Sequence, residues 1–278
     1  MKNLGLKLLR MKKNDSIDMN CTGNVNFFAE NIKLDNESQR NLEVSINICK
    51  NDLVTELVRE FPSLQGTMGF YYSQHSGFND IVCNAIKDHY KPYGPKDLCP
   101  STKISQILAL LDKTDTLVGF FLIDLGPTSS KDPYALRRAG LGIIRIMIEG
   151  KFLIKLNKFI EKSMQVYSKK VFLSDKSLKI YHKKIITFIL ERFENLLKAQ
   201  SYDKFLIYKA LKSDEANIDI YNIYKKCDVV FDFINTLNGR FFLKTFKRVL
   251  NILESENKLM LGLEEAKVNL KLLHSKYE

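Results

Sequence analysis

Apolar residues recur at intervals of three and four along most of this chain, which is the spacing of one face of a helix. In the clearest example, the residues on a single face are Ile104, Ile107, Leu108, Leu111, Val118 and Leu122. Residues that interrupt helices are scarce, since only 6 prolines occur among 278 residues. No segment alternates between apolar and polar residues as a half-buried strand would. The sequence therefore predicts an all-α fold.

Local signals divide the chain into separate helices. We expect Ser101 to cap one helix, and Asp132 to cap another that has Pro133 in its first turn and stops at Gly150. An Asn-Gly pair at 238–239 is expected to separate two later helices. The predicted helices cover residues 36–59, 67–73, 79–90, 101–122, 133–149, 153–167, 176–200, 218–236, 240–254 and 258–275.

Several classes of protein are excluded by simple patterns. No apolar run approaches the roughly 20 residues of a membrane-spanning helix, and the N-terminus lacks the continuous apolar core of a secretory signal. The 5 cysteines include no Cys-x-x-Cys pair, so reduced thiols are expected rather than a zinc site. We therefore expect a cytoplasmic protein with no membrane partner.

The positive charge of the chain is concentrated in one segment. The formal net charge is +11, and residues 151–212 carry 15 Lys/Arg against 5 Asp/Glu, whereas the rest of the chain carries 28 against 27. Such a field attracts polyanions, with nucleic acid as the first candidate. A lysine-rich composition on solvated faces would give the same numbers, so both interpretations stay open at this point.

Two carboxylates interrupt the apolar face of the helix predicted at 101–122. Asp115 lies in the middle of that face, and Asp112 lies at its edge. A carboxylate facing a protein core is costly unless it is paired or binds a metal ion. Two interpretations follow: a metal ligand or catalytic acid, or a structural buried acid paired with an arginine of the next helix, such as Arg137.

One pair of arginines is a candidate for phosphate binding. Arg138 and Arg145 are seven residues apart and flank Gly142 on one helix face, so their planar guanidinium groups could grip phosphates. Alternatively, another helix packs closely on Gly142, and Arg145 pairs with Glu149 at the i+4 spacing.

The helix predicted at 240–254 has an apolar side and a basic side. Its apolar side, expected to face the core, consists of Phe241, Phe242, Phe246, Val249, Leu250 and Leu253. Its basic side includes Lys244, Lys247 and Arg248. A basic ridge of this kind can follow an RNA backbone, and it is equally the pattern of a solvated face.

Motifs of several enzyme classes are missing. The chain has no GxxxxGK[ST] loop, no GxGxxG after a strand and no GxSxG turn, so we do not expect it to activate an amino acid with ATP. A metal phosphohydrolase needs clustered imidazoles and carboxylates around a metal that activates water. His89 and Asp112 are candidate ligands for that alternative, but no His-Asp dipeptide is present and no histidine precedes His75.

Three blocks carry a resemblance to a known family. They are residues 50–69 (KNDLVTELVREFPSLQGTMG), residues 109–119 and 127–138 (ALLDKTDTLVG and PTSSKDPYALRR), and residues 233–239 and 242–253 (FINTLNG and FLKTFKRVLNIL). In this order they closely resemble the β subunit of the bacterial heterotetrameric glycyl-tRNA synthetase, over roughly residues 29–258.

The resemblance implies a function in translation. That enzyme joins glycine to tRNA(Gly) and converts ATP to AMP and diphosphate, as an assembly of two α and two β subunits. Amino-acid activation, with its ATP and Mg²⁺, belongs to the α subunit, so no cofactor is expected on this chain. The β subunit holds tRNA through a helical domain of the His-Asp superfamily and a C-terminal anticodon-binding domain.

The resemblance also implies a division of the chain into domains. Residues 1–28 are an unmatched, poorly ordered lead-in, residues 29–165 a degenerate His-Asp-like helical domain, and residues 166–200 a basic connecting helix. Residues 201–278 would begin the anticodon-binding domain without completing it. Asp112 aligns with the last metal-ligand position of the superfamily while the earlier ligands are absent, so neither a metal site nor a catalytic residue is expected.

The chain is much shorter than the β subunits it resembles, so the expected role is that of a fragment that binds tRNA and docks on the α subunit. Six residues are predicted to neutralise RNA phosphates: Lys131, Arg138, Arg145, Lys244, Lys247 and Arg248. Asp112 and Asp115 are predicted to be structural buried acids. The alternatives are the metal phosphohydrolase and a non-functional remnant of a split gene.

Overall fold

The computed structural model describes residues 27–28, 30–128, 131–168, 174–200, 207–208 and 217–255. Within these ranges the regular elements are all helices and no strand occurs, which confirms the predicted all-α class. None of the described helices is both long and apolar enough to cross a membrane. The helix predicted at 258–275 and nearly all of the predicted lead-in lie outside the described residues.

Ten α-helices and two short 3₁₀ turns have both of their ends within the described chain. The α-helices are α1 Asn36–Ile48, α2 Glu56–Glu60, α3 Thr67–His75, α4 Asp80–Asp88, α5 Lys103–Leu122, α6 Leu136–Glu149, α7 Leu156–Ser168, α8 Asp175–Ala199, α9 Ile220–Asn235 and α10 Leu237–Ser255. The 3₁₀ turns are Asn51–Val54 and Pro62–Leu64. The chain divides into two compact units, one within residues 1–224 and one within residues 225–278. The finer domain limits drawn from the sequence stay predictions.

Polar side chains cap the first turn of several helices. The Asn79 side chain accepts a hydrogen bond from the Val82 amide at the start of α4, and Ser174 caps α8 in the same way. The predicted cap at Ser101 is one residue early, because Thr102 makes the capping bond of α5. Such caps satisfy amides that have no partner in the first turn of a helix.

The helix predicted after Asp132 begins later than expected. Both carboxylate oxygens of Asp132 accept backbone hydrogen bonds, from Leu136 at 2.8 Å and from Arg137 at 3.0 Å. The Asp132 carboxylate thus accepts hydrogen bonds from the first turn of α6 although Asp132 is outside the helix. Pro133 also lies before the first residue of α6. Gly150 forms the C-terminal cap of α6 as predicted.

Two further predicted helix boundaries are wrong, and side-chain hydrogen bonds explain both. The single helix predicted at 36–59 is divided into α1, a 3₁₀ turn and α2, because Asp52 binds backbone amides of a later segment and Thr55 starts a new helix. The break predicted at 238–239 lies instead at Thr236, whose hydroxyl accepts a hydrogen bond from the Gly239 amide at 3.0 Å. Residues 238–239 are therefore part of α10.

The core of the first unit is built around α5, which contacts α1, α4, α6, α7 and α8. All six residues of its predicted apolar face are buried. Leu110 and Leu117, on other sides of the helix, are also fully buried. Neighbours surround α5, so it is apolar on more than the single stripe of a surface helix.

The apolar side of α10 differs from its prediction. Phe241, Phe242, Phe246 and Val249 were expected to face a core, but they are 54%, 58%, 41% and 48% exposed. The described part of the second unit contains only α9 from Lys225 onward and α10, so little described chain is available to cover this side. Leu250 and Leu253 are outside the set of described side chains.

Candidate functional site

A group of charged and aromatic side chains lies inside the first unit, where the ends of α1 and α4 meet the middle of α5. The Lys50 ammonium is 2.7 Å from Asp112 Oδ1 and 3.1 Å from His89 Nε2. The same Nζ atom lies 4.0 Å from the centre of the Tyr90 ring. We call Lys50, His89, Tyr90 and Asp112 the Lys50 cluster.

These residues lie at the ends of α1 and α4 and in the middle of α5. Lys50 directly follows the C-terminal cap of α1, His89 is the C-terminal cap of α4, and Asp112 lies in the middle of α5. His89 is fully buried, and the side chains of Lys50 and Asp112 are only 15% and 14% exposed. The cluster is therefore a cross-link between helices rather than a surface ion pair.

The hydrogen bonds fix the protonation of the imidazole. His89 Nδ1 lies 2.6 Å from the carbonyl oxygen of Ile86 and must donate to it. His89 Nε2 then carries a lone pair and accepts from the Lys50 ammonium, which also donates to Asp112. Every group in this chain of hydrogen bonds has a matching donor or acceptor.

Burial and mutual charge set the ionisation of the cluster. Burial, followed by the charge of Lys50, lowers the pKa of His89 to about 3, so its imidazole is neutral. Burial acts to raise the pKa of Asp112, but the Lys50 charge outweighs it, and the net direction is below the usual range. Burial likewise opposes the charge of Lys50, yet Asp112 raises the pKa of that ammonium. The pair is thus ionic, and the imidazole beside it is uncharged.

This arrangement does not support the phosphohydrolase alternative. The two candidate ligands, His89 and Asp112, are close together, but an ammonium group lies between them. His75 is exposed at the end of α3. No group of three or more His, Cys, Asp or Glu residues that could hold a metal occurs in the described part of the chain. Water activation by a metal needs such a group.

A second carboxylate, that of Asp52, gives a structural reason for the two glycines of the first sequence block. Asp52 Oδ2 accepts hydrogen bonds from the amides of Gly66, at 2.6 Å, and Gly69, at 3.2 Å, at the start of α3. Gly66 has a φ of +77°, which favours glycine. A Cβ atom on Gly69 would lie 2.7 Å from a methyl group of Ile86. The glycines of this block therefore let α3 approach Asp52 and α4.

The two acids singled out from the α5 pattern have different partners. Asp112 is paired with Lys50, which directly follows the C-terminal cap of α1. Asp115 is half-buried and accepts a hydrogen bond at 2.7 Å from the Tyr167 hydroxyl of α7. A pairing of Asp115 with Arg137 stays a prediction. Both carboxylates thus join α5 to neighbouring elements.

The face of α6 that carries Gly142 packs against other parts of the protein. A Cβ atom on Gly142 would lie 2.8 Å from the side chain of Lys113, whose ammonium donates to the Tyr90 carbonyl at 2.8 Å. Burial lowers the pKa of Lys113 to about 8. Close packing on Gly142, one of the two interpretations of this pattern, is therefore present.

Arg145 takes part in the same packing. Its guanidinium group donates to the carbonyl oxygens of Gly94 and Pro95, both at 3.1 Å, and pairs with Glu149 at 3.0 Å. Its side chain is only 15% exposed. Arg145 holds the loop between α4 and α5 against α6, and a role in RNA contact stays a prediction for this residue.

The other five predicted phosphate-binding residues are exposed. Lys131 lies just before α6 and Arg138 on it, in the first unit. Lys244, Lys247 and Arg248 lie on α10, in the second unit. None of the five forms an ion pair with any residue that the structure describes.

The structure adds further cations that the sequence patterns did not single out one by one. Five exposed lysines lie on α7 and α8 at spacings of three and four: Lys158, Lys162, Lys176, Lys179 and Lys183. We call them the α7–α8 lysines. Lys158 and Lys179 line a cleft between the two helices, together with His182 and the acids Glu161 and Asp175. None of the α7–α8 lysines pairs with an acid among the described residues.

Comparisons with known proteins agree with the resemblance. A family model for the glycyl-tRNA synthetase beta subunit matches residues 3–212. A glycine–tRNA ligase beta subunit of Rickettsia bellii is 42% identical over 218 residues, covering 78% of this chain and 31% of the relative. Proteins of the same name from Rickettsia canadensis and Rickettsia felis are 41% and 40% identical over 216 and 215 residues. The chain spans about a third of the length of these curated relatives. By this match the chain belongs to the glycyl-tRNA synthetase beta-subunit family.

Proposed function

We propose that this chain is a tRNA-holding part of glycine–tRNA ligase, which binds tRNA(Gly) and docks on the α subunit while glycine activation takes place elsewhere. Membership of the glycyl-tRNA synthetase beta-subunit family supports tRNA(Gly) as the bound RNA. The exposed cations support binding through its phosphates. The role of this chain in the ligase is contact with phosphates, without covalent chemistry. The cytoplasm is the compartment that such a role requires.

The observation that carries the proposal is the row of α7–α8 lysines. These five lysines are exposed, and none of them lies within ion-pair distance of an acid in the described chain. Residues three and four apart on a helix lie about 5–6 Å from each other. The three α8 members, Lys176, Lys179 and Lys183, therefore form a continuous strip of positive charge, which is suited to a polyanion.

The residues predicted from the sequence extend this surface. We propose that Lys131 and Arg138 in the first unit, and Lys244, Lys247 and Arg248 in the second, also neutralise phosphates. An exposed cation releases counterions when it meets a phosphate, which makes the affinity depend on salt. The phenylalanines beside the cations of α10 are exposed as well.

The remaining parts of the reaction are assigned to other chains. We propose that ATP and Mg²⁺ bind the α subunit, in an assembly of two α and two β subunits. The sequence of this chain contains no loop for cradling nucleotide phosphates.

Binding of glycine tRNA and of a non-cognate tRNA across a salt series tests the proposal. We expect tighter binding of glycine tRNA, and an affinity that falls as salt rises. In a variant with Lys176→Gln, Lys179→Gln and Lys183→Gln, the slope of log affinity against log salt should decrease by roughly 2 to 3, since each lost phosphate contact removes about 0.7–0.9.

A matched control removes three exposed cations from a different region. The substitutions Lys33→Gln, Arg40→Gln and Lys96→Gln change the net charge by the same amount. If this control weakens RNA binding as much as the α8 variant does, binding follows net charge alone and the assignment to α8 is refuted. Equal affinity for both tRNAs would refute recognition of glycine tRNA, and no binding at moderate salt would leave the non-functional remnant as the better account.

A further inference from the structure

We propose that the Lys50 ammonium occupies the position of a divalent metal ion between His89 and Asp112, so that this domain carries an internal cation instead of a metal centre. The proposal does not depend on tRNA binding. It concerns an imidazole and a carboxylate that could both ligate a metal and that are buried together around one cation.

The two side chains present the atoms that a metal would use. A neutral imidazole nitrogen and a carboxylate oxygen are ordinary ligands of zinc and other divalent ions. Here both point at one cation, Lys50 Nζ, at 3.1 Å from His89 Nε2 and 2.7 Å from Asp112 Oδ1. These distances are those of hydrogen bonds to an ammonium group, and they exceed the roughly 2.0–2.2 Å of metal–ligand bonds.

The imidazole is also oriented as a metal ligand is. A ligating histidine nearly always donates its other ring N–H to a carbonyl or carboxylate, which fixes the tautomer. His89 donates from Nδ1 to the Ile86 carbonyl at 2.6 Å. The orientation that would serve a metal therefore serves the ammonium, and the face of the Tyr90 ring covers it from a further side.

A metal ion cannot share this position with Lys50. The ammonium is almost buried and bonded to both candidate ligands, so an entering cation would have to displace it from its only carboxylate partner among the described residues. The residues present thus fit an ammonium and do not fit a metal. The link between α1, α4 and α5 should accordingly be independent of metal supply and resistant to chelators.

Metal titration of the full chain tests this inference directly. Wild-type protein treated with a chelator should unfold at the same temperature as untreated protein, and addition of Zn²⁺ or Co²⁺ should give no stoichiometric binding. In a Lys50→His variant a shorter side chain brings a third nitrogen toward the same point. We expect this variant to bind about one Co²⁺ per chain, with visible absorption bands of a nitrogen- and oxygen-ligated ion and a raised melting temperature.

A second variant and a second measurement keep the test decisive. Adding Asp112→Asn to Lys50→His should abolish cobalt binding if Asp112 is a ligand. In wild-type protein labelled with ¹⁵N-histidine, Nε2 of His89 should be unprotonated and its resonance unchanged by zinc, a result that needs no variant.

Three results would overturn the inference. One is a wild-type chain that loses stability on chelation or binds one zinc through His89. Another is a folded Lys50→His variant that binds no cobalt, which would show that the position is not suited to a metal. The third is an Nε2 resonance in the wild-type chain that shifts on addition of zinc.

Discussion

Acidification should destabilise the protein through His89, in a pH range where Asp112 is still ionised. In the folded state burial lowers the pKa of His89 to about 3, whereas an unfolded histidine titrates near 6.5. Between these values the unfolded chain binds one proton more than the folded chain, so the free energy of unfolding decreases as the pH falls. This contribution is fully present above about pH 6.5 and is lost progressively toward pH 3.

The expected loss in the free energy of unfolding follows from the difference between the pKa of His89 in the folded chain and in the unfolded chain. Each pH unit below the unfolded pKa costs about 1.4 kcal/mol, so the loss between about pH 7.5 and pH 5 is about 2 kcal/mol. Asp112 does not add to this loss in that range, because the charge of Lys50 keeps its pKa below the usual value for a carboxyl group. Their ion pair remains intact at pH 5.

Urea denaturation of the wild type and of a His89→Gln variant at both pH values isolates this effect. Glutamine does not titrate, and its carbonyl oxygen can accept a hydrogen bond from Lys50. We expect the variant to be less stable than the wild type at pH 7.5 but to lose about 2 kcal/mol less on acidification. A His75→Gln control, which removes an exposed imidazole, should keep the wild-type dependence. If His89→Gln lost as much stability as the wild type, the imidazole would not be held neutral, and the assigned hydrogen bonds would be wrong.

Two further substitutions test the packing around the site. Gly69→Ala should lower the free energy of unfolding by about 1–3 kcal/mol, because its Cβ atom would meet Ile86 at 2.7 Å. Gly94→Ala, where nothing lies within 4 Å, should change it little, and equal effects would contradict the packing argument. Tyr167→Phe should cost about 1–2 kcal/mol by removing the hydrogen bond to Asp115; unchanged stability in urea denaturation would show that this bond contributes nothing net.

The sequence predicts the helices of the first unit well where local chemistry decides them. The apolar face of α5, the stop at Gly150 and the existence of α8 follow from spacing and from cap residues close in the chain. The division of the helix predicted at 36–59 does not, because Asp52 is bonded to amides 14 and 17 residues later. Contacts across such distances leave no trace in local periodicity.

The partner of Asp112 shows what pattern analysis can and cannot provide for the site. In the structure Asp112, which the pattern places beside an apolar face, is nearly buried and paired with Lys50. Sequence spacing does not reveal this partner, because the end of α1 meets the middle of α5 only in the folded chain. A usable signal was present, since Lys50 follows Ile46 by four residues and so lies on the apolar side of the helix predicted at 36–59. A lysine in that place needs a buried partner as much as an aspartate does.

Spacing alone also fails to separate structural cations from cations available to a ligand. Arg138 and Arg145 share one helix face, yet Arg145 holds a loop through two carbonyl oxygens while Arg138 is exposed. Structural cations differ from available ones in their burial and in their bonding partners. Three cations, Lys50, Lys113 and Arg145, are each bonded within the protein.

None of these three bonded cations lies in the strongly basic segment 151–212. The two groups should therefore respond differently to charge removal. Substitution of a bonded cation should change the free energy of unfolding, because it leaves a buried carboxylate or carbonyl unpaired. Substitution of the α7–α8 lysines should leave stability nearly unchanged and alter the salt dependence of RNA binding. A variant series in which stability and RNA affinity fell together at both groups would show that the basic segment is part of the folded core rather than a surface for a polyanion.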